Sequence, residues 1–350
     1  MTRDSKRRLQ MADIARMAGV SVSTVSRALS GSALVNQETR TRVADLARSL
    51  NYTVNVGAQN LRLQQNRTVG VVVPYEAATG QHVSDPFFLR MLGALADALT
   101  ARGFDMLFSR VSAEHLDAAG QLHDTGRAAG VILIGQWRHH EQLNELASRR
   151  VPLVVWGAQL PQQLYCTVGG DNLAGGRLAT RHLLQRGRRR IAFYGDTELP
   201  EVALRYQGYL QALREAGVAL DPALVKQVPF VPEKSRSVTR GLLTDGVPFD
   251  AIFATSDVLA LMAQSTLLEA GRRVPEEIAV VGYDDIEMAA YAHPALTTVR
   301  QPMRRMGQMA MDNLFKLMSG QESVVQIKVE AELIVRGSTG KAVRREGIHG

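Results

Sequence analysis

The sequence predicts an α/β protein in which two doubly wound parallel-sheet subdomains follow a small N-terminal helical module. From Val69 onward, short β-branched runs alternate with amphipathic segments of helical length, the order expected of parallel strands with helices on both faces of a sheet. The chain has 350 residues, more than one hydrophobic core usually organises, and it contains more strand candidates than one modest sheet holds. We therefore expect a cleft between two subdomains, with a ligand beyond the carboxyl ends of their strands.

Each element of this body has a local signal. The strand candidates are short apolar runs at 69–73, 106–108, 131–134, 153–156, 191–194, 251–254 and 278–281. The helix candidates include 87–102, 173–185, 203–216 and 258–270. Helices of this kind often end at a glycine, and the glycines that end them here are Gly103, Gly187, Gly217 and Gly271.

Residues 11–30 carry the spacing of a helix-turn-helix. Ala15 is small enough for a second helix to cross over it, and Gly19 supplies the positive φ that the turn requires. Val25 packs the second helix against the core that the two helices share, and Ser21 is a suitable N-cap for this helix. The second helix is then free to enter a major groove of DNA.

The outer surface of that helix carries small, hydroxyl-bearing or guanidinium side chains, which suit base edges and phosphates. We expect its DNA contacts to come from Ser21, Val22, Ser23, Thr24, Ser26 and Arg27. An ordinary helical hairpin in a globular core is the alternative, and it leaves this surface unexplained. A third helix, capped at Asn36, completes a three-helix headpiece.

The positive charge of the chain is concentrated in this N-terminal module. Residues 1–62 carry ten Lys or Arg and four Asp or Glu, a net charge of +6 out of +7 for the whole chain. Local positive charge is typical of a domain that binds a polyanion, because binding to DNA releases condensed counterions. Double-stranded DNA is therefore the expected partner.

The expected location is the reducing cytoplasm, on the nucleoid when DNA is bound. The single cysteine, Cys166, excludes an intrachain disulfide. The N-terminal residues lack the apolar run of a signal peptide, and no stretch approaches the roughly eighteen apolar residues of a membrane span. We therefore expect no membrane partner.

Short motifs run from Met11 to about Arg336. They are DIARMAGVSVSTVSRAL in the head, LNYTVN and AQNLR after it, and DPFF, RYQGY, TSD, GYDD and PALTTVRQP in the body. In this combination the chain resembles the LacI/GalR family of bacterial transcription regulators. The resemblance implies a helix-turn-helix headpiece, a hinge helix and a periplasmic-binding-protein-like core.

The resemblance also implies domain boundaries. They are 1–53 for the headpiece, 54–66 for the hinge helix and linker, 67–337 for the core and 338–350 for a polar tail. The family chain crosses between its core subdomains three times, which assigns 67–168 and 302–320 to subdomain 1, and 169–301 and 321–337 to subdomain 2. Because the tail lacks leucine heptads, we expect a homodimer rather than a tetramer.

In the family, the hinge helices of a dimer enter the minor groove, where a leucine wedges into a central base step. Leu61 matches that leucine, and Asn55 and Ala58 match further hinge positions that contact DNA. Val54 stands where the family usually has proline, which together with Gly57 predicts a less preordered hinge.

The same resemblance implies where a small-molecule effector binds. Arg205 and Asp284 match positions that hold effector hydroxyls or carboxylates. The other matching positions are Phe87, Phe88, Trp156, Ser256 and Gln301. Aromatic faces beside charged hydrogen-bonding groups suit pyranose rings, so we expect a sugar or a sugar derivative.

The predicted function is that of a sequence-specific, dimeric repressor of carbohydrate-utilisation genes, which a sugar inducer releases from a palindromic operator. A purine corepressor that tightens DNA binding is the alternative within the family, and a sugar-binding protein without DNA function is the alternative outside it. The sequence has no GxSxG, HExxH, paired CxxC or Walker motif. We therefore expect no catalytic residues, no cofactor and no metal.

Overall fold

The computed structural model describes residues 9–29, 32–50, 52, 66–76, 80–321 and 326–340. The chain divides into two compact units, Met1–Asn66 and Arg67–Gly350. Three helices form the described part of the first unit: α1 (Met11–Ala18), α2 (Val22–Leu29) and α3 (Gln37–Ser49).

The headpiece packs around a small apolar core to which all three helices contribute. Ile14, Val25 and Val43 are fully buried in it. Gly19 ends α1 with a φ of 64°, the left-handed conformation that the helix-turn-helix spacing predicts. Asn36 caps α3 by accepting a hydrogen bond from the Thr39 backbone N–H at 2.8 Å, also as predicted.

The second unit contains two parallel sheets. Six strands form the first: β1 (Thr68–Tyr75), β2 (Asp105–Ser112), β3 (Gly130–Ile134), β4 (Leu153–Trp156), β5 (Cys166–Gly170) and β11 (Gln326–Val329). Their order is β11-β5-β4-β3-β1-β2, and every pair is parallel. Helices α4 (Pro86–Thr100) and α12 (Met303–Met318) pack against one face, and α5 (Asp117–Asp124) and α6 (His140–Ser148) against the other.

The second sheet has the same layered plan. Its strands are β6 (Ile191–Tyr194), β7 (Val225–Lys226), β8 (Ala251–Ala254), β9 (Ala279–Asp284), β10 (Thr297–Arg300) and β12 (Glu332–Ile334), in the order β12-β10-β9-β8-β6-β7. All pairs are parallel except β10 with β12. Helices α7 (Asn172–Gln185) and α8 (Pro200–Glu215) cover one face. The other face packs against α9 (Pro232–Thr244) and α10 (Asp257–Glu269), and a short α11 (Glu287–Tyr291) follows β9.

The sequence places the third crossing between subdomains too early. It assigns 321–337 to subdomain 2, whereas Ile327 pairs with Val168 as part of β11 in the first sheet. The chain enters the second sheet only with β12, where Leu333 pairs with Val299. The free edge of β5 is what selects β11, because the two apolar residues of this four-residue strand do not by themselves specify a partner strand.

The start of the predicted polar tail is also part of the core. Ser338 and Thr339 are buried, and the Ser338 hydroxyl donates to the Val280 carbonyl at 2.6 Å. The Thr297 backbone N–H donates to the same hydroxyl at 2.8 Å. Serine and threonine in this segment serve as hydrogen-bonding partners of β9 and β10, so the folded chain extends at least to Gly340.

Cys166 is buried at the start of β5, within the apolar core of the first sheet. Across the described residues, no helix combines the length and the apolar composition needed to cross a membrane.

Candidate functional site

A cleft between the two sheets of the core is the candidate ligand site. It encloses about 790 Å³ including its open mouth. All of the residues proposed from the family resemblance line it: Phe87, Phe88, Trp156, Arg205, Ser256, Asp284 and Gln301. Trp156 and Asp284 are the last residues of β4 and β9, so the cleft lies at the carboxyl ends of the strands.

Aromatic side chains form much of the wall from the first subdomain. Phe87 and Phe88, in the first turn of α4, contact each other edge to face with ring centroids 5.6 Å apart. Trp137 follows β3 and also lines the cleft, although no sequence motif indicated it. Trp137 and Trp156 are the two tryptophans of the chain, so tryptophan fluorescence reports on this cleft.

Arg205 is buried and held from three directions. Its Nε donates to Asn172 Oδ1 at 2.9 Å, and a terminal nitrogen donates to the Thr255 carbonyl at 2.5 Å. Its guanidinium carbon lies 3.7 Å from the centroid of the Tyr283 ring. A cation over an aromatic face in a buried site is strongly oriented, so Arg205 presents one fixed edge to the cleft.

Two glycines allow Arg205 to lie this deep. A Cβ on Gly176 of α7 would come within 2.1 Å of the Arg205 carbonyl oxygen, and a Cβ on Gly208 of α8 within 2.1 Å of the Leu173 carbonyl oxygen. The backbones of α7 and α8 therefore cross in contact. This crossing gives a physical reason for Gly176 and for Gly208, the glycine of the RYQGY motif.

Asp284 is the buried acid of the cleft. Its Oδ1 accepts a hydrogen bond from Gln301 Nε2 at 2.7 Å. Burial raises the pKa of Asp284 to about 7, against the opposing influence of Arg205 and of the Gln301 hydrogen bond. Its φ is 111°, a conformation that L-residues rarely adopt, and such strain is concentrated at functional sites.

The neighbouring acids behave differently from one another. Asp257 is almost fully buried and accepts from the Ile286 backbone N–H at 2.8 Å, and burial together with the charge of Asp284 raises its pKa well above the ordinary value. Asp285 is also buried, and burial alone would raise its pKa. Its ion pairs with Arg300 at 2.7 Å and with Arg336 at 2.6 Å outweigh this effect, so its pKa is lowered. Asp285 therefore remains ionised and helps to fix the β9 end that carries Asp284.

Sequence reasoning missed several polar residues of the cleft. Asp85, Asn172 and Glu201 line it. Asp85 caps α4 by accepting from the Phe87 backbone N–H at 2.9 Å, and Glu201 is in the first turn of α8. Two sequence signals could have indicated these acids. Asp85 is the first residue of the DPFF motif, and Glu201 lies N-terminal to Arg205 in the same helix. Both acids, however, also match the residues that ordinarily begin a helix.

One arginine links the two subdomains beside this cleft. Arg138, after β3, forms ion pairs with Asp196 at 2.7 Å and Glu198 at 3.0 Å in the second subdomain. It also pairs with Glu76, just after β1, at 2.8 Å. The three carboxylates gather on a guanidinium whose five donors permit several ion pairs at once.

The headpiece presents the predicted DNA-facing residues on α2. Ser21 Oγ accepts from the Thr24 backbone N–H at 3.1 Å, so it caps the helix as expected. The side chain of Val22 is 42% exposed, Ser23 and Arg27 are also exposed, and Thr24 and Ser26 are half-buried. The opposite face is buried through Val25 and Ala28, which leaves the outer face available to a partner.

The headpiece and the core each match a known protein family. A family model for bacterial regulatory proteins of the lacI family matches residues 10–55, and one for a periplasmic binding protein-like domain matches residues 180–339. The HTH-type transcriptional regulator CelR of Thermobifida fusca is 34% identical over 342 residues, which cover 96% of this chain and 99% of CelR. The chain belongs to the LacI family.

Solved structures of LacI-family proteins have the same fold. A crystal structure of the lac repressor dimer bound to operator and the anti-inducer ONPF matches with a TM-score of 0.85 at 25% identity, covering 96% of this chain and 100% of that one. A CelR–cellobiose complex matches with a TM-score of 0.69 at 33% identity, covering 95% and 100%. These relatives confirm the predicted fold class and the assignment as a transcriptional regulator rather than an enzyme.

The hinge of this LacI-family chain lies outside the described residues, so Val54, Asn55, Gly57, Ala58 and Leu61 keep only the roles that the resemblance implies. Among the residues that the structure describes, no three His, Cys, Asp or Glu side chains are grouped so that they could hold a metal ion.

Proposed function

We propose that this LacI-family protein is a homodimeric repressor of carbohydrate-utilisation genes, and that a sugar bound in the core cleft releases it from a palindromic operator. The observation that carries the proposal is the convergence of Arg205, Asp284 and the aromatic side chains on one cleft between the subdomains. The similar solved structure of a CelR–cellobiose complex supports a sugar as the ligand. A repressor in this role acts in the cytoplasm, at its operator.

The chemistry of the cleft fits a pyranose. Aromatic rings of Phe87, Trp137 and Trp156 offer apolar faces to the C–H surfaces of a sugar, while Asp284 and Gln301 offer an acceptor and a donor to its hydroxyls. A site that combines apolar walls with a few fixed polar groups is the usual design of a specific small-molecule pocket.

The route from sugar to DNA runs through the two subdomains. The cleft has one wall on each subdomain, so a ligand in it binds more tightly to one arrangement of the walls than to another. That difference in affinity is the largest free energy that the ligand can supply to the switch. In a dimer, a change of arrangement alters the spacing of the two headpieces and therefore their fit to two half-sites of an operator.

The test combines operator selection with a ligand screen. DNA selected by the purified full-length protein from a random pool is expected to be palindromic, as a dimer requires. Cellobiose and other neutral sugars are then added while binding to the selected DNA is measured, and one of them is expected to release the protein. If no sugar acts and a purine base tightens DNA binding, the protein is a corepressor-dependent regulator and the proposal is wrong.

A further inference from the structure

Resting on the proposed function, we infer that the effector is an uncharged, hydroxyl-rich sugar, and that the cleft excludes phosphorylated and carboxylated sugars. The charges that line the cleft and the capping of the helix ends around it both disfavour an anionic ligand.

The charged residues of the lining are mostly acidic. Asp85, Glu201 and Asp284 supply three carboxyl groups, and Arg205 is the one cation among the described lining residues. An anionic ligand would therefore approach three acids in a partly desolvated space, where repulsion between like charges is much stronger than in water.

Arg205 does not offset this imbalance for a ligand. Two of its guanidinium nitrogens already donate to Asn172 and to the Thr255 carbonyl, and its ring-facing side is covered by Tyr283. Recognition of a phosphate or carboxylate by arginine normally uses two parallel donors of a guanidinium. Here two of the three guanidinium nitrogens hold the side chain in place, so one terminal nitrogen, rather than a parallel pair, is left to a ligand, and Arg205 already interacts with the charges of Glu201 and Asp284.

Helix N-termini are the other common anion sites, because their backbone N–H groups lack partners within the helix. Around this cleft, side chains of the protein already occupy them. Asp85 accepts from the Phe87 N–H of α4 at 2.9 Å, and Asp171 from the Ala174 N–H of α7 at 3.0 Å. Ser256 accepts from the Leu259 N–H of α10 at 3.3 Å, so the start of this helix is also capped.

The fourth helix start, that of α8, lacks one donor and carries an acid. Pro200 is its first residue and has no N–H, and Glu201 follows it in the first turn. Glu201 competes directly with any anion for the positive end of this helix.

The pKa values of the acids in the cleft also disfavour an anionic ligand. Burial raises the pKa of Asp85, of Glu201 and of Asp284, and the charge of Asp85 raises that of Asp284 further. The cleft therefore destabilises the ionised form of the carboxyl groups that it already contains, and an anionic ligand would add a further negative charge to it. A neutral sugar adds hydroxyl donors for these carboxylates without adding charge.

The first test uses matched pairs of sugars. Cellobiose, glucose and galactose are each titrated beside their 6-phosphate and their aldonic acid, with tryptophan fluorescence of the intact protein as the signal. We expect the neutral form of the sugar that binds to exceed both anionic forms by at least about 100-fold in affinity, since an unpaired charge in a desolvated site is costly. The double variant Asp85→Asn Glu201→Gln should reduce this ratio by about tenfold or more.

The outcomes separate the inference from the function on which it rests. An anionic form that binds as tightly as its neutral partner overturns the inference and leaves a sugar effector in place. A purine base that changes the fluorescence and the DNA affinity, with no response to any sugar, overturns the proposed function instead.

A second measurement needs no cognate ligand. Iodide is an anionic quencher and acrylamide a neutral one, and both tryptophans line the cleft. At matched ionic strength, the ratio of iodide to acrylamide quenching should be lower than for a free tryptophan amide, and it should rise by about twofold in the double variant because two negative charges are removed. A ratio in the wild type equal to that of the free amide would overturn the inference. Circular-dichroism melting verifies that the variant is folded.

Discussion

Arg138 and Asp196 form a 2.7 Å ion pair that joins the two subdomains of the core beside the ligand cleft. The Arg138 side chain is 33% exposed, so each of its ion pairs contributes at most about 1 kcal/mol to the free energy of unfolding. A pair between two bodies that can move has another effect, however. It stabilises the arrangement of the two subdomains in which Arg138 reaches Asp196.

Arg138→Ala should therefore weaken sugar binding more than it weakens the fold. We expect a loss of effector affinity of about three- to tenfold, with a change of less than about 1 kcal/mol in the free energy of unfolding. Titration calorimetry and urea unfolding measure the two quantities. Arg177→Ala is the matched control, because Arg177 pairs with Glu215 at 3.1 Å within one subdomain and has similar exposure. If both variants bind the sugar with equal affinity, Arg138 does not contribute to the change in subdomain arrangement that accompanies sugar binding.

Arg205→Ala should separate sensing from DNA binding. The headpiece is a compact unit of its own, so operator affinity without effector should be preserved. Losing the charged hydrogen-bonding partner is expected to cost about 1.5–3 kcal/mol of effector binding, or roughly 10- to 150-fold. Operator release measured against sugar concentration checks this. Arg214→Ala, at an exposed position in the last turn of the same helix, is the control and should respond normally.

Asp284 should make effector binding depend on pH near neutrality. In the folded protein it holds its proton up to a pH of about 7, instead of the ordinary 3.8. A sugar hydroxyl that donates to the carboxylate favours the ionised form, so binding releases a proton and affinity should rise as pH increases through about 7. The slope should be at most about tenfold per pH unit and should flatten above the transition.

Sugar titrations across this pH range, in wild type and in Asp284→Asn, test the assignment. The variant should show a flat profile, because the amide does not titrate. If the wild type is equally flat, Asp284 does not accept from the ligand.

Gly176→Ala should disturb the cleft through the backbone. Its Cβ would lie 2.1 Å from the Arg205 carbonyl, so α7 and α8 must separate. We expect a loss of about 1–3 kcal/mol in stability and a weakened effector response, measured by urea unfolding and by sugar titration. Gly241→Ala in α9 is the control. A Cβ there meets nothing within 4 Å, and the change should stabilise the helix by about 0.5–1 kcal/mol.

Exchanging Val22 and Ser23 should change the half-site that the headpiece selects. Both side chains are exposed at the start of α2, the part of a recognition helix that contacts base edges. Each good base contact is worth about 1–3 kcal/mol of discrimination. Sequencing of DNA selected by wild type and by the exchanged variant provides the comparison, and identical preferences would assign base recognition to other residues.

Local patterns were sufficient for most of the architecture. Each of the seven predicted strands overlaps an observed one, because buried parallel strands are runs of apolar residues that stand out from their surroundings. The missed strands lack that signal: β5 ends in two glycines, and β10 begins with two threonines. For the ligand site, family motifs identified Arg205 and Asp284, but Asp85 and Glu201 resembled ordinary helix-start residues.

What the sequence by itself determined is therefore the set of local elements: the turn at Gly19, the cap at Asn36, the alternation of strands and helices, and the basic headpiece. These follow from φ preferences, capping and periodicity, all of which act over a few residues. Only the tertiary structure decided that Gln326–Val329 joins the first sheet and that Ser338 is buried. It alone also brings Asp85, Glu201 and Asp284 around one cleft and joins Arg138 to Asp196. Strand partners, burial and charge balance depend on groups far apart in the chain, and a local pattern carries no information about such neighbours.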